Sequence, residues 1–392
     1  MPQILEPSEK LIAAGFSRRT LGRWAAMLAA GAALPLRNEF TLAAQELDIR
    51  VMPPGAVVID KNENPLGPAP VALEALVNIA KDGGRYHFEL TQQFNKTMAE
   101  MEGLKSDYVQ AYPGSSMPLH WAVMTFTSPA RPYVVADPGY EAGDQAAQAV
   151  KAPIVRVKLA SDYSHDVKAM LAAAPNAGLF YICNPNNPTG TLTKRADIDW
   201  LVANKPAGSI VLLDEAYMHF AGEPFATDLV RNDKDVIILR TFSKIYGMAG
   251  LRAGAALARP DLLAKIRVLG NTWVPTTSMA GATASLRDAK IVPERRAITK
   301  STREDTFAFL HKHNFTFVPS VSNKFMLDVK RPGREVTAAM RKENVYIGRS
   351  WPSWPTHVRV TIGTPEEMKK FQTAFLKVMS QSGGAIEGSS RG

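Results

Sequence analysis

Short apolar runs recur through the middle of the chain without alternating with polar residues. Tyr133-Val-Val-Ala136, Ile154 to Val157, Leu179-Phe-Tyr-Ile182, Ile210-Val-Leu-Leu213 and Val236-Ile-Ile-Leu239 are short and rich in β-branched or aliphatic side chains. Such runs predict strands covered on both faces, as in parallel sheets. Helical patterns lie between them, as at Lys194 to Val202. Strand and helix in alternation predict an α/β fold with a mostly parallel sheet. Beyond about residue 290 the style changes. Charged helices at Pro293 to His313 and Pro365 to Met379 flank short strands at Phe325 to Asp328 and His357 to Gly363. This predicts a second, smaller α+β domain. The expected division is 45–84 joining the small domain, 85–289 as the large domain, 290–380 as the small one, and a disordered Gly/Ser-rich tail over 381–392.

The 392 residues exceed one ordinary domain, and 46% are hydrophobic, so a large core is available. The net charge of +9 comes from scattered Lys and Arg. It reads either as a basic solvated surface or as a site that attracts phosphate or carboxylate. There is no dense basic run, zinc-finger spacing or aromatic RNA-binding motif, which argues against nucleic acid as a partner. The single cysteine, Cys183, cannot form an internal disulfide, and no Cys/His cluster has metal-ligand spacing. No metal is expected, and Cys183 reads as inert packing in a strand.

Residues 1–44 do not read as part of the fold. Ser17-Arg-Arg-Thr-Leu-Gly-Arg23 resembles the twin-arginine export signal. An Ala-rich apolar run follows from Trp24 to Leu34, with small residues at Ala43 and Ala44. The run is shorter than the roughly 20 apolar residues of a spanning helix and suits a signal core. The plainer alternative is an amphipathic helix with an incidental Arg pair. The export reading implies a periplasmic protein that meets membranes only through the export machinery.

Three successive strand candidates end in unusual polar chemistry. Phe180-Tyr-Ile-Cys183 leads into Asn184-Pro-Asn-Asn-Pro-Thr-Gly190. Val211-Leu-Leu213 leads into Asp214-Glu-Ala-Tyr217. Ile237-Ile-Leu-Arg-Thr241 leads into Phe242-Ser-Lys244 and on to Arg252. Ligands of parallel α/β sheets bind beyond the carboxyl ends of the strands. If the three strands share one sheet, Asn187, Asp214, Tyr217, Ser243, Lys244 and Arg252 therefore line one edge. Asp214 is suited to holding a proton on a buried heteroaromatic nitrogen. Lys244 can form a Schiff base if its surroundings lower its pKa. Ser243 and Arg252 suit a phosphate, and Asn187 and Tyr217 a ring oxygen. Taken singly, each has a plain reading as a turn former, loop residue or solvated lysine. Their order and joint placement carry the functional one.

These motifs resemble those of the class I/II aminotransferases that use pyridoxal phosphate (PLP fold type I). Asn62-Glu-Asn-Pro-Leu-Gly-Pro68, Arg85-Tyr86 and Arg359-Val-Thr-Ile-Gly363 resemble the histidinol-phosphate aminotransferase branch. The resemblance implies a large domain with a mostly parallel sheet plus a smaller α+β domain. It implies PLP as cofactor, an amino acid and a 2-oxo acid as substrates, and a homodimer. Lys244 would hold the cofactor and shuttle the proton, and Asp214 would pair with its ring nitrogen. Asn187 and Tyr217 would contact the ring hydroxyl, and Tyr140 would stack on the ring. Ser115, Ser116, Thr241, Ser243 and Arg252 would cup the phosphate. Tyr86 would reach the neighbouring subunit's cofactor phosphate. Arg359 would grip the substrate carboxylate, with Arg349 and Asn64 as further substrate contacts. On residue type alone, Tyr140 is equally a packing aromatic, Ser115-Ser116 a plain helix cap, Arg359 a surface arginine and Arg349 a structural one.

Several positions depart from that branch. Ser116-Met117 stands where an acidic pair is usual, and His87-Phe88 follows Arg85-Tyr86. Trp273, Trp351 and Trp354 are also new. The tryptophans either shape an apolar or aromatic substrate pocket or pack in the core. Together with the export signal, the changes argue against a biosynthetic histidine enzyme. Two rivals are a decarboxylase or lyase on the same fold, and a non-catalytic periplasmic binding protein.

Overall fold

The computed structural model describes residues 52–381, so the 1–44 signal and nearly all of the 381–392 tail lie outside the described residues. The described strands, in chain order, are β1 (Val57–Ile59), β2 (Val109–Tyr112), β3 (Tyr133–Asp137), β4 (Ile154–Lys158), β5 (Leu179–Cys183), β6 (Ile210–Asp214), β7 (Val236–Thr241), β8 (Gly254–Leu257), β9 (Thr316–Val318), β10 (Lys324–Asp328), β11 (Val345–Ile347) and β12 (His357–Thr361).

The central sheet runs β2-β8-β7-β6-β5-β3-β4. The five apolar runs of the sequence are its parallel strands β3 to β7, and β8 lies antiparallel between β7 and β2. Every residue of β5, β6 and β7 is buried. Each fully buried Val or Leu side chain contributes roughly 1.5–3 kcal/mol to holding the strand in place. The register sets Cys183 beside Asp214, and Asp214 beside Leu239. Neighbouring strands lie only about 4.8 Å apart. The three polar loops therefore leave the sheet side by side, as the sequence predicts.

The apolar-run pattern does not predict β8. Its sequence is Gly-Ala-Ala-Leu, with little β-propensity of its own. A Cβ on Gly254 would lie 2.7 Å from the carbonyl carbon of Gly114 and 2.9 Å from the backbone nitrogen of Ser115. Glycine is needed there because the loop before helix Ser116–Phe126 presses on the strand.

A second core gathers around the three-stranded antiparallel sheet β12-β10-β9 and the parallel pair β1-β11. Val358 and Val360 of β12, with Phe325 and Leu327 of β10, point into it. By the period of two, Arg359 and Thr361 face the other way, level with Met326 and Lys324. Helix Pro365–Ser380 covers this core. It begins with a capping box in which Thr364 and Glu367 satisfy each other's backbone N–H.

The described part of the 45–84 segment is shared between the two cores. Its strand β1 pairs with β11, but helix Pro70–Ala80 packs on helix Thr276–Arg287 against the larger core. Of that helix only Ala72 is buried there, where Gly281 allows close approach, while Val71, Leu73 and Val77 stay exposed. Helix Ile291–Lys312 also bridges. Arg295 at its start donates to the Ile245 carbonyl at 3.0 Å, while Leu310 near its end lies in the smaller core.

Candidate active site

Asp214 ends β6 with its carboxylate buried. Oδ2 accepts from the Tyr181 hydroxyl at 2.8 Å, and Oδ1 from the Ala216 N–H at 3.1 Å. Burial raises its pKa; the Tyr181 and Ala216 hydrogen bonds and the charges of Lys244 and Lys324 oppose that rise. A protonated ring nitrogen beside it would offset the desolvation.

Lys244 follows β7. It is partly exposed, yet protein surrounds its amine on most sides, and Nζ donates to the Lys61 carbonyl at 3.3 Å. Desolvation brings its pKa down to about 8. The Arg359 charge adds to the fall, and Glu63 and Asp214 oppose it. Nζ stands 5.7 Å from the centroid of the Tyr217 ring.

Tyr217 is buried, and desolvation raises the pKa of its phenol. Its oxygen accepts from Asn62 Nδ2 at 3.1 Å, which leaves its proton free to be donated. Asn62 also reaches Asn187 Oδ1 at 3.4 Å and exchanges hydrogen bonds with Thr361. Asn187 Oδ1 accepts from Arg359 Nη1 at 3.0 Å, and Arg359 Nη2 donates to the Asp60 carbonyl at 2.6 Å. One web thus ties the loops after β1, β5 and β6 to β12.

A second cluster lies at the ends of β2 and β7. Thr241 donates to Ser243 Oγ at 3.0 Å, and Arg252 Nη1 reaches the same oxygen at 3.4 Å. Arg252 Nη2 lies 3.5 Å from the Pro113 carbonyl. Gly114 has φ +84°, and a Cβ there would run into the Arg252 guanidinium. The backbone therefore comes in close beside the arginine, next to Ser115 and Ser116 at the start of helix Ser116–Phe126. Hydroxyls, a guanidinium and a helix N-terminus together supply the donors that a phosphate would need.

The structure gathers Lys244, Asp214, Tyr217 and Asn187 with Arg359, and groups Thr241, Ser243 and Arg252 beside Gly114-Ser115-Ser116. Tyr140 packs on the larger core. Asn64 does not face this site. Its Nδ2 donates to the Ile245 carbonyl at 3.0 Å and its Oδ1 accepts from Leu66 N–H, so both ends are taken up by backbone. Asn62, with a left-handed backbone (φ +56°), is the loop asparagine that bonds Tyr217, Asn187 and Thr361. Tyr86 is 68% exposed and lies against Phe88 and Trp273, with no hydrogen bond or ring contact to the Lys244 group among the described residues. Trp273 is exposed as well, whereas Trp351 is buried and Trp354 packs on Tyr163 and His357.

Two site residues carried no motif. Tyr181 lies two positions before Cys183 in an apolar strand, and only strand periodicity places it on the same face as Asp214. Lys324 is fully buried, with Nζ 3.1 Å from the Tyr217 ring centroid and 3.0 Å from Ser322 Oγ. Burial holds its pKa well below the ordinary lysine value.

An acid at a strand end, a low-pKa amine, a phenol and groups suited to a phosphate define the donor set of a PLP enzyme on an α/β scaffold. The chain belongs to the aminotransferase class I and II family, whose model matches residues 55–375. It is similar to the histidinol-phosphate aminotransferase of Symbiobacterium thermophilum, at 34% identity over 83% of this chain and 91% of that one. It is also similar to the aromatic amino acid aminotransferase of Nocardia farcinica, at 32% identity over 81% of this chain and 90% of that one. Among solved structures, the histidinol-phosphate aminotransferase of Sinorhizobium meliloti in complex with pyridoxal 5′-phosphate aligns with a TM-score of 0.77. It covers 83% of this chain and 92% of that one at 24% identity, a likeness of fold. The protein is accordingly a PLP-dependent aminotransferase.

Proposed function

We propose that this is an exported, homodimeric aminotransferase that moves an amino group from an amino acid to a 2-oxo acid at the site between Asp214 and Lys244. One observation carries the reading: the Lys244 amine lies 5.7 Å from the Tyr217 ring centroid and within reach of the charge of the buried Asp214 carboxylate, which Tyr181 holds in place.

Bound PLP supplies an electron sink that makes the Cα–H bond of the amino acid acidic. Asp214 holds the proton on the ring nitrogen, and Tyr181 keeps that carboxylate oriented. Tyr217 would donate its free proton to the ring oxygen, and Asn187, joined to Tyr217 through Asn62, would offer its Nδ2 to the same oxygen. Arg359 would hold the substrate carboxylate in a two-point grip and so orient the amino acid in the site. Lys244 would take the Cα proton as general base and, once protonated, could serve as general acid. A pKa near the working pH suits both roles.

The dimer is supported by the exposed aromatic group of Tyr86, Phe88 and Trp273, and by Val268, which is 83% exposed. Apolar surface of this kind marks an interface. Export is supported by the twin-arginine motif at Arg18-Arg19 and the apolar run after it.

The test is a panel of amino acids offered singly to the holoenzyme, without acceptor, scored by loss of the visible absorption of covalently held PLP. Loss with some donors, each yielding its 2-oxo acid, is expected. Retention with every donor, or release of carbon dioxide in place of the oxo acid, would overturn the reading.

A further inference from the structure

The proposed grip uses Arg359 and leaves a second arginine unexplained. Arg349 lies on the segment beside β12, joined to it by hydrogen bonds from Gly348 N–H to the Arg359 carbonyl and from Arg359 N–H to the Arg349 carbonyl. Both guanidinium groups approach one buried ring. The centroid of Trp351 is 4.2 Å from Arg349 Cζ and 5.5 Å from Arg359 Cζ. Trp351 Nε1 donates to the Gly139 carbonyl at 2.9 Å, which pins the ring to the loop that carries Tyr140.

The residue after Tyr140 is Glu141, and its carboxylate is hydrogen-bonded to Arg349 Nη2. The two side chains are 29% and 23% exposed, so solvent screens the pair only partly. Arg349 Nη1 is buried with no hydrogen-bond partner among the described residues.

We propose that Glu141 is an internal counter-ion that sets substrate choice. By pairing with Arg349 it occupies the charge that an anionic substrate side chain would need. The paired guanidinium and carboxylate also present a flat, net-neutral surface, which suits an uncharged aromatic side chain. The site then disfavours substrates with a second anion, both by competition for Arg349 and by repulsion from Glu141. Without Glu141, Arg349 presents two donors to such an anion. The inference rests on Arg359 holding the substrate carboxylate, as proposed above.

The experiment is calorimetric titration of the holoenzyme with two carboxylates that lack an amino group and cannot react. 3-Phenylpropionate carries an aromatic end, and glutarate a second carboxylate. Wild type should prefer 3-phenylpropionate. Glu141→Gln should tighten glutarate by about tenfold or more, the scale of one hydrogen bond to a charged group, with little change for 3-phenylpropionate. Adding Arg349→Met to that variant should return glutarate to weak binding. Retained PLP absorption shows that each variant is folded and loaded. If wild type prefers glutarate, or if both ligands bind and Glu141→Gln leaves their ratio unaltered, the proposal fails alone. If neither ligand binds any form, the carboxylate grip fails and takes the proposal with it.

Discussion

The Tyr181 hydroxyl donates to Asp214 Oδ2 at 2.8 Å, inside a sheet where both side chains are buried. The bond holds one carboxylate oxygen in place and leaves the other near the Ala216 N–H. It also opposes the desolvation that pushes the Asp214 pKa upward. The hydrogen bond from this phenol favours the ionised carboxylate, against the burial that raises its pKa.

Tyr181→Phe should therefore weaken the site without abolishing it. Losing one hydrogen bond to a charged group costs about 1.5–3 kcal/mol, so kcat/KM should fall by about tenfold to a hundredfold. Asp214→Ala should cost more, at least about a hundredfold, as for loss of a preorganised electrostatic partner. Steady-state kinetics on both variants, with PLP occupancy measured in parallel, checks the order.

Lys244 should make capture of PLP by the apoenzyme depend on pH in a particular window. Only the neutral amine attacks. With a pKa of about 8 the capture rate should rise about tenfold per pH unit up to 8 and then level off. An ordinary lysine near 10.4 would keep the rate climbing past pH 9. Stopped-flow absorbance from pH 6 to 10 separates the two.

Strands β3, β5, β6 and β7 were legible because they are buried almost throughout, so each sequence is a plain apolar run; β4 at the sheet edge keeps Ile154, Val155 and Val157 but exposes Arg156 and Lys158. The Lys244 site was legible because its groups follow those strands as motifs. What the sequence hid depends on contacts distant along the chain. The loop 62–68 was visible, but which of its asparagines reaches Tyr217 and Asn187 is settled by contacts far along the chain, as at Thr361 for Asn62 and Ile245 for Asn64. Strand β8 has small residues because the Gly114 loop presses on it. Lys324 reads as a surface lysine until its strand is paired with β12. Glu141 meets Arg349 across 208 positions of sequence, a distance no local pattern spans.

Arg240 should matter for stability. It bonds Glu215 Oε2 at 2.8 Å and Glu102 Oε1 at 2.9 Å, and its side chain is 3% exposed. Arg240→Met leaves two carboxylates without their cation, one fully buried. Breaking a buried pair from one side costs about 3–5 kcal/mol. Denaturant unfolding of the variant should show a loss of that size; a loss under about 1 kcal/mol, typical of surface pairs, would contradict it.

Replacing Arg18 and Arg19 together by Lys should keep the protein inside the cell if the signal is read as proposed. Lysine preserves the charge, so an incidental basic helix would be unaffected. Fractionation of cells expressing either form, with the N-terminus of the mature protein sequenced, decides between them.

The central claim is that Lys244, and no other amine, holds the cofactor against Asp214. Its most direct test is to load the enzyme with PLP, fix the linkage by borohydride reduction and map the modified peptide by mass spectrometry. The account predicts one label per chain, on Lys244, absent from Lys244→Ala. A label on Lys324, the other buried amine beside Tyr217, would contradict it.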